Sequence, residues 1–166
     1  SGVSWNPLKF THSFPAFLSS SLTTQYRAVV QSGVCSATNT PAVTITVDPA
    51  TIAGTISSAA TVCSGSNSGT LTLSGHTGSV VRWESSTNGG GSWSPITNTT
   101  TSQAYNNLTT TTQYRAVVQS GTCSAANTPA VTITVESATV TGTISSAATV
   151  CSGSNSGTLT LSGHTG

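Results

Sequence analysis

The chain has 166 residues, of which 4 % are charged, 35 % hydrophobic and 5 % aromatic, with a formal net charge of +1; in an ordinary soluble domain about a quarter of residues are charged. So weak a field gives no means of steering a nucleic acid or an acidic lipid surface. The three carboxylates, Asp48, Glu84 and Glu136, argue against an oxygen-ligated calcium site and against the carboxylate pair of a glycosidase.

No apolar run reaches the roughly 18 residues of a membrane-spanning helix, and the opening SGVSWNPLKF does not read as a signal peptide, so membrane insertion is not expected. The chain is instead rich in Thr and Ser, 33 and 29 residues, and this neutral composition with four cysteines reads as extracellular and structural. An internal repeat organises it. Residues 23–78 recur as residues 111–166 with six differences in 56 positions, which sets a period of 88. Residues 1–48 then form the C-terminal part of one repeat, 49–136 a complete repeat, and 137–166 the N-terminal part of the next. Two periods would need 176 residues; the missing ten are the counterpart of SVVRWESSTN, 79–88. Both ends therefore read as cuts inside repeats.

In the first piece, residues 6–22 depart from their counterparts 94–110 at 14 of 17 positions and carry Phe10, Phe14 and Phe17, all the phenylalanines of the chain. An adhesive interface patch, a misassigned stretch of sequence and drift in an edge strand all fit. The complete repeat shows no 3.6-residue apolar spacing. It shows short alternating runs between Gly, Asn and Ser clusters, the pattern of a two-sheet sandwich of about seven strands. Thr51–Ile56 opens it. Thr70–Ser74 puts Leu71 and Leu73 on one face, and 79–85 is read with Val81 and Trp83 inward and Arg82 and Glu84 outward. Asn and Gly in NGGGSW, 88–93, suit a hairpin turn. Trp93–Thr97 and Ser102–Tyr105 read as edge segments. Thr112–Val118 aligns Tyr114, Ala116 and Val118, and the last strand aligns Val131, Ile133 and Val135. Trp83, Tyr114, Leu71, Leu73, Val131 and Ile133 are the expected core.

The strings TVCSGSNSGTLTLSG, VVRWESSTNGGGSWSPI and NLTTTTQYRAVVQSGTCSAANTPAVTITV resemble the immunoglobulin-like repeats of giant Bacteroidota cell-surface proteins of the gliding and adhesin type. The run from Leu108 to Tyr114 is similar to the tyrosine corner of immunoglobulin-like and fibronectin-III-like sandwiches, where a Tyr bonds back to upstream backbone. The resemblance implies export and cell-surface display. It also implies a structural disulfide between Cys63, ahead of the second strand, and Cys123, after the sixth. Such a bridge would close a loop of about 60 residues, worth roughly 4 kcal/mol. Cys35 and Cys151 would then seek partners in neighbouring repeats or stay single.

Little chemistry is offered. His76 and its copy His164 sit in SGHTG with no nearby carboxylate and read as solvated turn residues. No CxxC or HxxxH spacing occurs, so neither metal nor cofactor is expected. Arg82, Glu84 and Arg115 fall on neighbouring strands, where an exposed pair contributes at most about 1 kcal/mol or forms a shallow binding face. Asn98 and Asn107 fit the N-x-S/T acceptor pattern, a weak signal in so Thr-rich a chain.

These features lead to a non-enzymatic, all-β tandem array serving as the stalk or filament body of an extracellular adhesin, with neighbouring repeats as partners and surface glycans or a substratum as possible contacts. Two alternatives remain: a self-assembling extracellular filament subunit, and an accessory carbohydrate-binding module of a secreted enzyme.

Overall fold

The computed structural model describes residues 21–165; Phe10, Phe14 and Phe17 lie outside the described residues. The architecture is all-β, with no helix among the described residues. In the first piece the strands are β1 (Thr24–Tyr26), β2 (Val29–Val30), β3 (Thr38–Asn39) and β4 (Val43–Ile45). The complete repeat holds β5 (Thr55–Ser57), β6 (Ala60–Cys63), β7 (Ser68–Ser74), β8 (Ser79–Ser86), β9 (Ser94–Ile96), β10 (Ser102–Asn106), β11 (Thr112–Gln119), β12 (Ala126–Asn127) and β13 (Val131–Glu136). The last piece holds β14 (Val140–Ser145) and β15 (Thr160–Thr165).

Two sheets form in the complete repeat, one in the order β10-β7-β5 and one in the order β6-β13-β11-β8-β9 with β12 beside β11. Their inner faces meet in a single core. Leu71 and Leu73 come from the first sheet, and Trp83, Tyr114, Ala116, Val118, Val131 and Ile133 from the second. Trp83 and Leu71 are fully enclosed, and the indole N–H donates to the Thr100 carbonyl at 2.9 Å. That bond holds the stretch leading into β10, whose Tyr105 ring lies 6.5 Å from Tyr114. The six side chains expected in the core are all buried, as period-2 alternation requires of a sheet with one packed face. Pro95 falls on β9, an edge strand, where a missing N–H costs no ladder bond.

Three local features differ from the sequence reading. First, the opening strand, read over 51–56, lies at Thr55–Ser57 as β5, antiparallel to β7, and a further strand not read from the sequence, β6 (Ala60–Cys63), follows it in the other sheet, parallel to β13. The crossover turns at Ser58, whose φ of 80° lies in the left-handed region, and Ser146 repeats it at 84° one period later. Second, Val80 rather than Val81 faces the core: Val117 pairs with Arg82 but Val118 with Val80, so Val81 is the extra residue of a bulge and is 39 % exposed. Third, Tyr114 makes no bond back to upstream backbone among the described residues. Asn67 closes that corner instead: its Nδ2–H donates to the Cys63 and Leu108 carbonyls, both at 2.8 Å, while its Oδ1 accepts the Leu108 N–H at 2.9 Å.

The flanking pieces keep the pairing registers of the complete repeat. Thr24↔Ile45 matches Thr112↔Ile133, Val29↔Asn39 matches Val117↔Asn127, and Thr143↔Ser162 matches Thr55↔Ser74, each one period apart. Burial does not follow. Leu159 and Leu161, one period after Leu71 and Leu73, are 68 % and 48 % exposed. Backbone pairing needs only two strands, whereas an apolar core needs both sheets and the Trp83 that sits between them.

Candidate functional site

Two places concentrate polar geometry: the outer face of β8 and β11, and the point where the chain enters the complete repeat. On the outer face, Arg115 and Glu84 are direct cross-strand partners. Glu84 Oε2 accepts from Arg115 Nε at 2.6 Å, and Oε1 accepts from Arg82 Nε and Nη2, each at 2.7 Å. The Arg115 guanidinium also lies 4.1 Å above the Trp93 ring, a stacked geometry that favours a delocalised cation. Under this cover Glu84 is 5 % exposed. Burial pushes its carboxyl up, but the hydrogen bonds from Arg115 and Arg82 and their positive charges outweigh burial and hold it below the usual carboxylate range. The three charged residues singled out from sequence do come together, as a part-buried cluster rather than an exposed pair. Trp93, read only as an edge residue, supplies the lid.

At the entry point the linker acid is engaged. Asp48 Oδ2 accepts the Thr122 N–H at 2.9 Å and its hydroxyl at 3.2 Å, and Ser120 N–H donates to Thr51 Oγ1 at 3.0 Å. Gly121, at φ 47°, leaves room for this approach, since a Cβ there would meet the Asp48 carboxylate and displace it. The loop between β11 and β12 is therefore built to receive the residue that ends the preceding repeat. Cys123 lies in this loop, its Sγ 3.5 Å from the Pro49 carbonyl and 3.9 Å from that of Asp48. Nothing in the sequence pattern singled out Asp48, because an acid in a linker reads as a solvated charge.

The expected Cys63–Cys123 disulfide is overturned: all four cysteines are free thiols. Strand direction gives the reason. Cys63 pairs in register with Glu136 beyond the end of the sheet where β11 begins, and Cys123 lies past the end where β11 finishes. Eight residues of strand span about 26 Å, against a limit of about 7 Å between bridged Cα atoms. Cys35 and Cys151 are exposed and not joined to one another.

Of the two candidate acceptor asparagines, Asn98 spends its side chain in a local turn. Its Nδ2 donates to the Ser102 carbonyl and to Gln103 Oε1, and its Oδ1 accepts from Thr100 N and Oγ1. Asn107 is exposed at φ 47° and lines a shallow open groove with Val62, Cys63, Ser66 and Asn67. His76 is half-buried rather than solvated, with its Nδ1 enclosed and unpartnered among the described residues. Its copy His164 is exposed on β15. No group of three or more His, Cys, Asp or Glu that could hold a metal occurs among the described residues.

A family model described as a domain of unknown function, DUF8696, matches residues 52–137, just over half of the chain. No curated protein and no solved structure matches it.

Proposed function

We propose that this chain, which belongs to the DUF8696 family, is a segment of a non-enzymatic tandem array displayed outside the cell, with immunoglobulin-like sandwiches as the units of a stalk or filament body. The observation that carries this reading is the engaged linker. The residue ending one repeat, Asp48, is bound by the β11–β12 loop of the next, so successive repeats are coupled through more than the covalent chain. A coupled junction between sandwiches resists bending, which is what a spacer between a cell and a distant contact needs.

Composition supports the same reading. The charged groups of the complete repeat are largely spent on internal bonding, Glu84 on two arginines, and the outer strands present Thr and Ser. An open aromatic platform of the kind that stacks on sugar rings is not offered by Trp93, whose face carries the Arg115 guanidinium at 4.1 Å. This favours the stalk over the carbohydrate-binding module.

The test is accessibility on intact cells. Antibody raised against residues 49–136 labels unpermeabilised producing cells, and external protease removes the signal. Labelling that appears only after permeabilisation overturns the surface reading.

A further inference from the structure

The two cysteine positions of the repeat lie at opposite ends of the sandwich, and each lies beside a linker acid. At the exit, Cys63 pairs in parallel register with Glu136, and Ser64 N–H donates to the Glu136 carbonyl at 2.8 Å. At the entry, Cys123 Sγ lies 3.9 Å from the Asp48 carbonyl, in the loop that binds the Asp48 carboxylate. Asp48 and Glu136 are the same position one period apart. What Glu136 is to the complete repeat, Asp48 is to the repeat before it. The preceding repeat's counterpart of Cys63 thus belongs beside Asp48, on the residue that Cys123 already touches.

We propose that a disulfide joins the Cys63-type thiol of one repeat to the Cys123-type thiol of the repeat that follows, across the linker acid they share. Adjacent strands place paired Cα atoms about 4.8 Å apart, so the first thiol starts one strand spacing from the acid. The second starts within van der Waals contact of the same residue, and bridged Cα atoms lie about 4.4–6.8 Å apart. The arrangement accounts for four free thiols here. The junction at 48/49 holds Cys123 and the junction at 136/137 holds Cys63, one half of a pair at each. It also accounts for exposure, since Cys63 is open to solvent rather than packed in the core, where a small apolar thiol usually goes.

The oxidant is a small-molecule disulfide. One cysteine thiolate attacks it and releases one small thiol, and the second cysteine thiolate attacks the resulting mixed disulfide and releases the other. Two cysteine protons are given up as one protein S–S bond forms and the oxidant's S–S bond is reduced. The proposal requires repeats in tandem, as the stalk reading does, but not a surface location, so failure of the cell-labelling test leaves it standing.

Two measurements test it. The 166-residue chain, incubated at low concentration with oxidised glutathione and mapped by non-reducing peptide mass spectrometry, carries mixed disulfides and no internal bridge. A bridge between any two of Cys35, Cys63, Cys123 and Cys151 overturns the proposal. The same full chain is then extended after Gly166 by a second copy of residues 79–136, which completes the repeat beginning at 137 and sets both thiols at the 136/137 junction. The expected product links Cys63 to the added copy of Cys123. Cys63→Ser abolishes the link, and Cys151→Ser leaves it intact; circular dichroism confirms that both variants fold. A link from Cys151 to the added cysteine, or no link at all in the folded extended chain, refutes the inter-repeat bridge.

Discussion

Glu84 and Arg115 face each other across β8 and β11 at 2.6 Å, on the outer side of a sheet whose inner side holds Trp83. Because this carboxylate is buried yet titrates below the ordinary range, its ionised form is favoured by folding. The contribution is present above the unfolded carboxyl pKa of about 4.3 and is lost as pH falls through the lower folded value. Thermal melts from pH 7 to pH 2 on the wild type and on Glu84→Gln check it. The wild type loses stability on the acid side of pH 4, and the variant, about 1–3 kcal/mol less stable at pH 7, shows a flatter acid limb. Parallel acid limbs in the two proteins would remove Glu84 from the account.

Trp83→Phe separates the two roles of the central Trp. The substitution leaves part of the indole volume empty and removes the donor to the Thr100 carbonyl, for a combined cost of about 2–3 kcal/mol. Urea denaturation followed by circular dichroism reads this as a lowered midpoint with an unchanged slope. Trp93→Phe, at a half-buried edge position, costs about 1 kcal/mol through the weakened stack with Arg115.

Asn67→Ala is expected to cost about 2 kcal/mol, more than its half-buried position suggests. One amide joins the β6–β7 turn to the Leu108 corner with donor and acceptor both used. Asn67→Asp keeps the acceptor to Leu108 N–H and loses both donated bonds, so it falls between alanine and wild type in denaturant midpoint. Equal midpoints for alanine and wild type would mean that the corner holds without this side chain.

Much of the sandwich was legible because alternation is a direct record of which face meets the core. Leu71, Leu73, Tyr114, Val131 and Ile133 follow it without exception. Val81 was misread because a bulge shifts the alternation by one residue and leaves no mark in composition. The crossover from β5 into β6 was hidden for a related reason: Ser58 takes a positive φ where sequence reasoning looks for Gly or Asn. The disulfide failed at the level of topology. Order along the chain places Cys63 before one strand and Cys123 after another, but only the direction of each strand tells which end of the sheet it reaches. The ion cluster was half legible, since neighbouring strands bring Arg82, Glu84 and Arg115 together, while Trp93 as its cover depends on where β9 folds back. Asp48 as a junction ligand required the loop that receives it.

Asp48→Ala tests that junction directly. The carboxylate accepts the Thr122 N–H, and Thr122 is exposed, so without Asp48 this amide has water as its available partner. Its hydrogen exchange should accelerate about tenfold, equivalent to about 1.4 kcal/mol of lost local protection. The amides of Val117 and Ile133, in the sheet and buried, keep their rates. Global stability changes by less than about 1 kcal/mol, because the bond lies outside the core and one end of it is exposed. Asp48→Glu places the carboxylate one methylene further out, as in the Glu136 linker one period later, and is expected to restore most of the Thr122 protection. If Thr122 exchanges alike in wild type and Asp48→Ala, the linker is a free tether in solution, and the case for a stiffened array loses its main support. Selective acceleration at residues 120–123 alone would instead locate the coupling between repeats in one carboxylate and the loop that receives it.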